Sequence, residues 1–292
     1  MNMRLLNNLL SFFLSLLLSN CVQMSGKEGE ANSDDTKEQV VNSNFINPNG
    51  NTIQTRFIPP DGFKRKHCAD DAFGSFLRNL KLKPVGSKVK YFDGTVKEND
   101  VYDAVVDMEI SNKDLQQCAD AIMRLRGEYF FKQKAFDQIT FNLTNGFKVD
   151  YTEWIKGNRV IVNGNTTVWR KIAQPSNTYS DFRDYMEFVF TYAGTLSLDK
   201  SLRSKNISDI AIGDVFIRGG SPGHAVIVVD LAENSVGDNV FLLAQSYMPA
   251  QEIQILKNTG NTALSPWYTV KATDAKVSTP EWEFMPSQLK TW

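Results

Sequence analysis

The chain has 292 residues, a formal net charge of −1 at pH 7 and only two histidines. A nearly neutral chain without a clustered basic excess is not typical of nucleic-acid-binding proteins, so we expect no nucleic acid partner. Two histidines and three cysteines without ligand spacing predict no metal site, and no glycine-rich loop opens a helix as a nucleotide cradle would. We therefore expect no cofactor.

The first 20 residues are predicted to form a signal peptide, because Arg4 precedes an apolar stretch, Leu9 to Leu18, that is too short to span a membrane. The next residues are Ser19-Asn20-Cys21, and Leu18 to Cys21 resembles a bacterial lipobox, in which the cysteine becomes the lipidated first residue. The resemblance implies that acyl chains on Cys21 anchor the protein in the bacterial cell envelope, with the outer membrane as the expected location. The alternative is an ordinary signal peptide with an incidental cysteine.

Residues 21–55 are predicted to be a disordered tether, because they are rich in small polar and charged residues and have few aromatic residues. Residues 56–292 have the length and aromatic content of one large globular domain, which we divide into halves 56–175 and 176–292. Cys68 and Cys118 lie in this domain, and the sequence leaves open whether they form a disulfide.

Hydrophobic periodicity predicts helices and strands throughout the domain. Apolar residues at helical spacing predict helices at 69–80, 114–131 and 180–193. Strict alternation predicts a strand at 101–110, and two Asn-Gly pairs predict β-hairpins that turn at 145–146 and 163–164. Apolar β-branched runs predict buried strands at 214–217, 224–230 and 240–245. The predicted class is α+β, with helices packed on a mostly antiparallel sheet and an N-terminal α+β extension.

His224 stands at the head of a buried strand, where a histidine suits either proton transfer or a structural hydrogen bond. In chain order, the predicted elements are a helix ending in Ala193-Gly194, a strand opening with Gly213-Asp214, the His224 strand and a strand ending in Gln245. This order resembles the core of the papain-like NlpC cell-wall peptidases and amidases. The resemblance implies a papain-like fold with His224 as the general base and Gln245 orienting its ring. It also implies a cysteine near the start of the helix, but Phe182 occupies that position, and a phenyl ring is no nucleophile.

The missing nucleophile predicts a catalytically silent domain that binds cell-wall peptide or glycan in a cleft around His224, Gln245 and Tyr247. Asp214 is a further candidate binding residue. Trp154 is a candidate surface for sugar stacking, although a tryptophan is more often part of a core.

The alternative is a thiol hydrolase of the cell envelope with Cys118 as the nucleophile and His224 as the base. Cys118 follows Asp114-Leu115-Gln116-Gln117 in the first turns of a predicted helix, where the helix dipole favours a thiolate. Against this, Cys118 lies on the apolar stripe of that helix, and free cysteines are among the most buried residues. A shift of the NlpC alignment would offer the Ser180 hydroxyl instead.

Four blocks of the domain also resemble an uncharacterised family of bacterial lipoproteins that is known only as a domain of unknown function. The blocks are Gly74 to Leu80, Asp114 to Asp120, Thr144 to Phe147 and Gly220 to Ile227. The resemblance extends over about Arg56 to Trp292 and implies kinship without a particular activity.

Overall fold

The computed structural model describes residues 45–292 except Asn165. The predicted signal peptide, the predicted lipidation site Cys21 and the predicted tether up to residue 44 lie outside the described residues. Residues 45–55 belong to the folded domain, since Phe45 O accepts a hydrogen bond from the backbone N–H of Ile58 (2.8 Å) and Ile53 is fully buried. The predicted tether boundary at residue 55 is therefore wrong, because the apolar side chains of this segment pack against the core.

The described residues contain six α-helices, of which two are long. They are α1 (Ile53–Arg56), α2 (Phe73–Arg78), α3 (Cys118–Lys132), α4 (Tyr151–Ile155), α5 (Tyr179–Tyr192) and α6 (Thr195–Ser201). Short 3-10 turns lie at Phe136–Gln138, Ile207–Asp209 and Pro286–Gln288. The two long helices, α3 and α5, pack against each other and form much of the layer that covers one face of the sheet.

The strands form one large antiparallel sheet and three small hairpin sheets in the described part of the chain. They are β1 (Lys64–Arg65), β2 (Tyr102–Val105), β3 (Thr140–Asn142), β4 (Lys148–Asp150), β5 (Asn158–Asn163), β6 (Thr166–Lys171), β7 (Arg203–Ser204), β8 (Val215–Arg218), β9 (His224–Glu233), β10 (Asn239–Gln245), β11 (Gln254–Leu256), β12 (Val277–Ser278), β13 (Glu283–Phe284) and β14 (Leu289–Thr291). The large sheet has the order β2-β11-β10-β9-β8-β14-β7, and β1 adds to β9. The predicted α+β class with a mostly antiparallel sheet is confirmed.

Strand β9 lies in the middle of this sheet and is buried on both faces. Ala225, Ile227 and Val229 point into the core that contains α3 and α5. Val226 and Val228 point to the opposite face, into a second core with Phe216, Phe241 and Phe284. Because both faces are covered, the strand is a continuous apolar run and not an alternating pattern.

The two predicted halves are not separate units. Strand β2, from residues 56–175, pairs with β11, and helix α3, from the same half, packs on β9. The large sheet therefore takes strands from both halves, and the described residues all lie in one compact unit.

Most predicted elements are present, but several have different ends. Both Asn-Gly hairpins are confirmed, with Gly146 at φ 86° and Gly164 at φ 57°, values that favour glycine. The strand predicted at 101–110 is shortened to β2, followed by a single bridge from Val106 to Leu82, and the helix predicted from Asp114 begins at Cys118. The later start has a local cause, because Gln116 has φ 67° and Gln117 is extended, so neither residue can continue a right-handed helix.

Phe182 lies in the contact between α3 and α5. Its ring is fully buried and stacks on Phe131 with centroids 4.5 Å apart. The helices approach closely at Gly127, where an added Cβ would lie 3.2 Å from Phe182 Cζ and 3.0 Å from Met186 Sδ. Phe182 is therefore a packing residue of the core.

Candidate functional site

A cleft of about 540 Å³ lies at the edge of the sheet where β9 begins. Five parts of the chain form its walls: the loop and first turn of α3, the end of α5 with the start of α6, the β8–β9 loop, the residues after β10, and Trp282. The lining residues include Asp114, Gln117, Cys118, Asp120, Phe190, Gly194, Thr195, Gly223, His224, Tyr247 and Met248. The volume is in the range of ordinary small-molecule and peptide sites.

His224 is the first residue of β9, and its side chain is enclosed by aromatic rings. The residue is 1% exposed, and its ring centroid lies 4.7 Å from that of Tyr247, 5.5 Å from Trp282 and 5.9 Å from Phe284. Burial lowers the pKa of His224 to about 4, and the positive charge of Lys97 contributes to this lowering. The hydrogen bond with Gln245 raises the pKa, but by less than burial lowers it. The imidazole is therefore neutral at pH 7.

Gln245, the last residue of β10, holds one nitrogen of this ring. His224 Nε2 and Gln245 Oε1 are 2.8 Å apart, and Gln245 Nε2 donates to Glu281 Oε2 at 2.7 Å. Because Gln245 occupies Nε2, Nδ1 is the ring nitrogen that remains for the cleft. The predicted pairing of His224 with Gln245 is thus present as a direct hydrogen bond.

Cys118 is the first residue of the 15-residue helix α3 and lines the same cleft as His224. It is half-buried, and the backbone N–H of Ala225, the residue after His224, is directed at its sulfur. Burial raises the pKa of the Cys118 thiol to about 11, and the Asp120 carboxylate raises it too. The backbone N–H groups of Ala119, Ala225 and Cys118 lower this pKa by a smaller amount. Cys118 is therefore a neutral thiol at pH 7. It is a free cysteine, as is Cys68, so the two do not form a disulfide.

The loop before α3 is tied to the segment after β10, and this fixes the position of Cys118. Gln116 O accepts from Ser246 Oγ (3.0 Å), and Asp114 Oδ1 accepts from the backbone N–H of Ala250 (2.7 Å). Gln116 Oε1 also accepts from the guanidinium of Arg124, which is completely buried. The left-handed backbone at Gln116 is thus held by contacts on both sides of the chain.

Asp120 lies in the first turn of α3, on the cleft side of the helix. Its Oδ2 accepts from the backbone N–H of Gln117 (3.0 Å), which caps the helix, while no described residue is a hydrogen-bond partner of Oδ1. Burial raises the pKa of Asp120 to about 7, so the carboxyl changes charge near neutral pH. Its charge acts on Cys118.

Two of the predicted binding residues do not lie at the cleft, whereas Tyr247 does. Asp214 forms a salt bridge with Lys205 (2.7 Å) and lies before β8, at the end remote from His224, because Arg218 is the residue that pairs with His224. Trp154 is 5% exposed and packs in the core against Tyr185. The structure therefore brings neither Asp214 nor Trp154 to this cleft.

The helix that presents its N-terminus to the His224 strand is α3 and not α5. Helix α5 reaches the cleft at its other end, through Phe190 and the residues after it. Phe182, which the resemblance places at the nucleophile position, lies inside the α3–α5 contact and does not line the cleft. Sequence reasoning also missed Asp120, Glu281 and Trp282. Of these, only Asp120 could have been recognised from the sequence, because it lies two residues after Cys118.

The described residues contain no group of three or more His, Cys, Asp or Glu side chains that could hold a metal ion. None of the helices in this described part of the chain has the length and hydropathy of a membrane span.

Comparison with known proteins identifies the family and gives no activity. No curated protein matches the chain, and no solved structure matches it. A family model described as "Domain of unknown function (4846)" matches residues 53–291, which include α1 to α6 and all parts of the cleft. The chain belongs to the DUF4846 family.

Proposed function

We propose that the domain is a thiol-dependent amide hydrolase of the cell envelope, with Cys118 as the nucleophile and His224 as the general base. The observation that carries the proposal is the position of Cys118. It opens a long helix, lines the same cleft as His224 and receives the N–H of the residue next to His224 at its sulfur. Nucleophile and base must be close in space, and in this chain they come from distant parts of the sequence.

The reaction would start from a neutral pair, because the pKa of His224 is about 4 and that of Cys118 about 11. His224 Nδ1 takes the thiol proton while the Cys118 sulfur attacks the amide carbon, so a C–S bond forms as the S–H bond breaks. The first backbone N–H groups of α3 have no intrahelical acceptor and can stabilise the oxyanion that develops. His224 then gives its proton to the leaving amine and the C–N bond breaks.

The resulting thioester is hydrolysed in a second half-reaction. His224 removes a proton from water as the water oxygen attacks the thioester carbon, and the returned proton restores the Cys118 thiol when the C–S bond breaks. The products are a carboxylic acid and an amine. Gln245 acts on this sequence through His224, whose ring it orients in both halves.

The order of the elements supports a distant likeness to the papain-like NlpC peptidases when α3 is taken as the nucleophile helix. A cysteine opens α3, β8 follows the Gly213-Asp214 pair, β9 begins with His224, and β10 ends with Gln245. In this alignment, α4, α5 and α6 belong to an insertion between α3 and β8. We infer that the domain is a papain-like hydrolase with an enlarged cleft wall.

The substrate class follows from the predicted location. With a signal peptide and a lipidated Cys21, the domain would meet the peptide part of the cell wall, and we propose amide bonds of cell-wall peptides as its substrates. The anchor would hold the enzyme at a membrane of the envelope, as expected for a lipoprotein.

The test is to incubate the purified chain with muropeptides and to measure newly released amines. C118A and H224A should reduce release to background, whereas C68A and H67Q, which change the other cysteine and histidine of the domain, should retain it. Equal release from C118A, H224A and the unmodified chain would remove the hydrolase proposal.

A second candidate function is favoured by the charge state of the pair. Neither Cys118 nor His224 is ionised at pH 7, which also suits a catalytically silent domain that binds cell-wall peptide or glycan. The cleft would then act through the exposed Met248 and the rings of Tyr247 and Trp282. Retention of the chain on cell-wall sacculi, without amine release and with loss of retention in Y247A, would support binding alone. No retention above that of a control protein would reject it.

A further inference from the structure

A series of hydrogen bonds leads from His224 into the protein. Behind the ring, Gln245 Nε2 donates to Glu281 Oε2, and the same oxygen accepts from Lys97 Nζ, both at 2.7 Å. The side chain of Lys97 is 1% exposed and that of Glu281 is 15% exposed. Lys97 and Glu281 are 184 residues apart in the chain, and neither touches the cleft.

The buried ammonium group of Lys97 is held from its other side by Gln251, which a second glutamine positions. Lys97 Nζ donates to Gln251 Oε1 (3.0 Å), which also accepts from Gln254 Nε2 (2.9 Å). Gln251 Nε2 donates to Pro249 O (3.1 Å), and a carbonyl oxygen has no hydrogen to give. The amide of Gln251 therefore has one orientation, and Lys97 has oxygen acceptors on two sides.

The donor and acceptor roles along this series follow by elimination. The carboxylate of Glu281, paired with Lys97, only accepts, so Gln245 must present its NH₂ group to Glu281. The amide oxygen of Gln245 then faces His224 Nε2, which must carry the hydrogen of this bond. In a neutral imidazole, a hydrogen on Nε2 leaves Nδ1 with a free lone pair.

We propose that Glu281 and Lys97 are positioning residues that set the tautomer of His224, by holding the Gln245 amide in the one orientation that keeps Nδ1 free to accept a proton. The catalytic consequence rests on the proposed hydrolase function, in which Nδ1 accepts the thiol proton of Cys118. The tautomer itself is a property of the folded protein and can be measured without any substrate.

Removal of the hydrogen-bond acceptor at position 281 would free the amide of Gln245 to turn over. With its NH₂ group towards His224, the amide would donate to Nε2, and the ring hydrogen would move to Nδ1. That form cannot accept a proton from Cys118, although no group in the cleft would have been changed. A purely structural role for the Lys97–Glu281 pair would alter stability without this change of tautomer.

The tautomer can be observed directly by nitrogen NMR of the histidine ring. The chain has two histidines, so H67Q leaves His224 as the source of all ring signals. In the H67Q chain at pH 7, we expect a single form with hydrogen on Nε2 and none on Nδ1. A ring with its hydrogen on Nδ1 would overturn the proposal at once.

Three changes in the H67Q background test the cause. K97M/E281M removes the ion pair as a unit, because K97M or E281M alone would leave a buried charge facing an apolar side chain. It should give a mixture of both tautomers and, if the domain hydrolyses amides, a fall in kcat of at least about tenfold with little change in KM. E281Q keeps an oxygen that can accept from both Lys97 and Gln245, so it should retain the tautomer. K276M/E283M removes the exposed ion pair of the neighbouring hairpin and should change nothing.

The exchange K97E/E281K is the sharpest variant. A lysine at position 281 would donate to Gln245, whose oxygen would then turn towards it and whose NH₂ would face His224. We expect the hydrogen of His224 to lie on Nδ1 in this chain, which also decides the matter if K97M/E281M does not fold. If both double variants keep the Nε2–H form with native amide spectra, the proposal is refuted. If the tautomers change as expected but no chain releases amines, the proposal holds and the hydrolase function fails.

Discussion

The charge state of Cys118 leads to a quantitative prediction about its reactivity. The C21S/C68S chain retains Cys118 as its sole thiol, since the sequence contains three cysteines. Burial raises the pKa of Cys118 from an ordinary 9.0 to about 11. Only the thiolate is alkylated rapidly, and its fraction falls tenfold for each unit by which the pKa exceeds the pH. At pH 7 the thiolate fraction is on the order of 1 in 10,000, about a hundredfold below that of an ordinary thiol.

The assay is the rate of alkylation by iodoacetamide between pH 7 and pH 12. We expect the rate at pH 7 to be about a hundredfold below that of a cysteine-containing peptide, and to rise tenfold per pH unit until it levels near pH 11. The same profile should be found in C21S/C68S/H224A, because His224 is not a source of the raised pKa. Denaturation in urea should return the rate to that of the peptide.

A different result would refute the reasoning. If the alkylation rate levels below about pH 8, and H224A abolishes this low-pH reactivity, then Cys118 and His224 form a thiolate–imidazolium pair in the resting protein. The pKa of His224 would then lie well above 4, and burial could not be the dominant influence on either group.

Three further predictions concern stability. D230A should lower the free energy of unfolding in urea titrations by about 3–5 kcal/mol, because Arg65 and Arg78 both pair with this fully buried carboxylate. The control E233Q, at the exposed pair with Lys66, should change it by less than about 1 kcal/mol. G127A should lower the free energy of unfolding by about 1–3 kcal/mol, since its Cβ would meet Met186 and Phe182. The Cβ of G260A would lie at least 3.6 Å from its neighbours, so this control should lose less stability. Equal losses would refute the close α3–α5 contact. Burial lowers the pKa of His224 from 6.5 to about 4, so the imidazole binds a proton only in the unfolded chain in this range, and the contribution of His224 to stability should be lost as the pH drops from 6.5 to 4. Burial raises the pKa of Asp120 to about 7 and that of Asp103 to about 6, and both act in the opposite direction, so the quantity to measure is the unfolding free energy of the unmodified chain minus that of H224Q, which should fall as the pH drops over this range.

Much of the fold could be predicted from local patterns. The run from His224 to Asp230 predicted a buried strand, and its apolar residues from Ala225 to Val229 each pack into one of two cores. The Asn-Gly hairpins were predictable because their turns require positive φ, a property of a few residue types. The start of α3 was not, because the left-handed conformation of Gln116 depends on Arg124 and on Ser246, which lies 130 residues away.

The candidate site was predicted only in part, for a related reason. His224 and Gln245 occupy neighbouring strands, so their contact follows from strand order, which a resemblance can supply. The position of Cys118 depends on how α3 packs on β9, which helical periodicity does not reveal. The predicted apolar stripe suggested simple burial, and Ile122 and Leu125 are buried, yet the first residue of the helix reaches the cleft.

Lys97 and Glu281 had no signal at all in the sequence. Each is one charged residue among many, and charged residues are mostly found at the surface. Their burial is possible because they meet each other and Gln251 inside the fold. The prediction that Trp154 binds sugar was wrong for a different reason. A tryptophan ring is suited to sugar stacking, but Trp154 is packed in the core and is not accessible to a ligand.

The wide spacing of the site residues along the chain determines when the site can exist. Cys118, His224 and Glu281 are brought together only after the central sheet has closed and the C-terminal segment has been added to it. A chain that is still being synthesised therefore contains Cys118 and His224 but not yet the cleft that they line. Proteolytic loss of the C-terminal segment would remove Glu281 and Trp282, so the cleft is complete only in a chain that retains this segment.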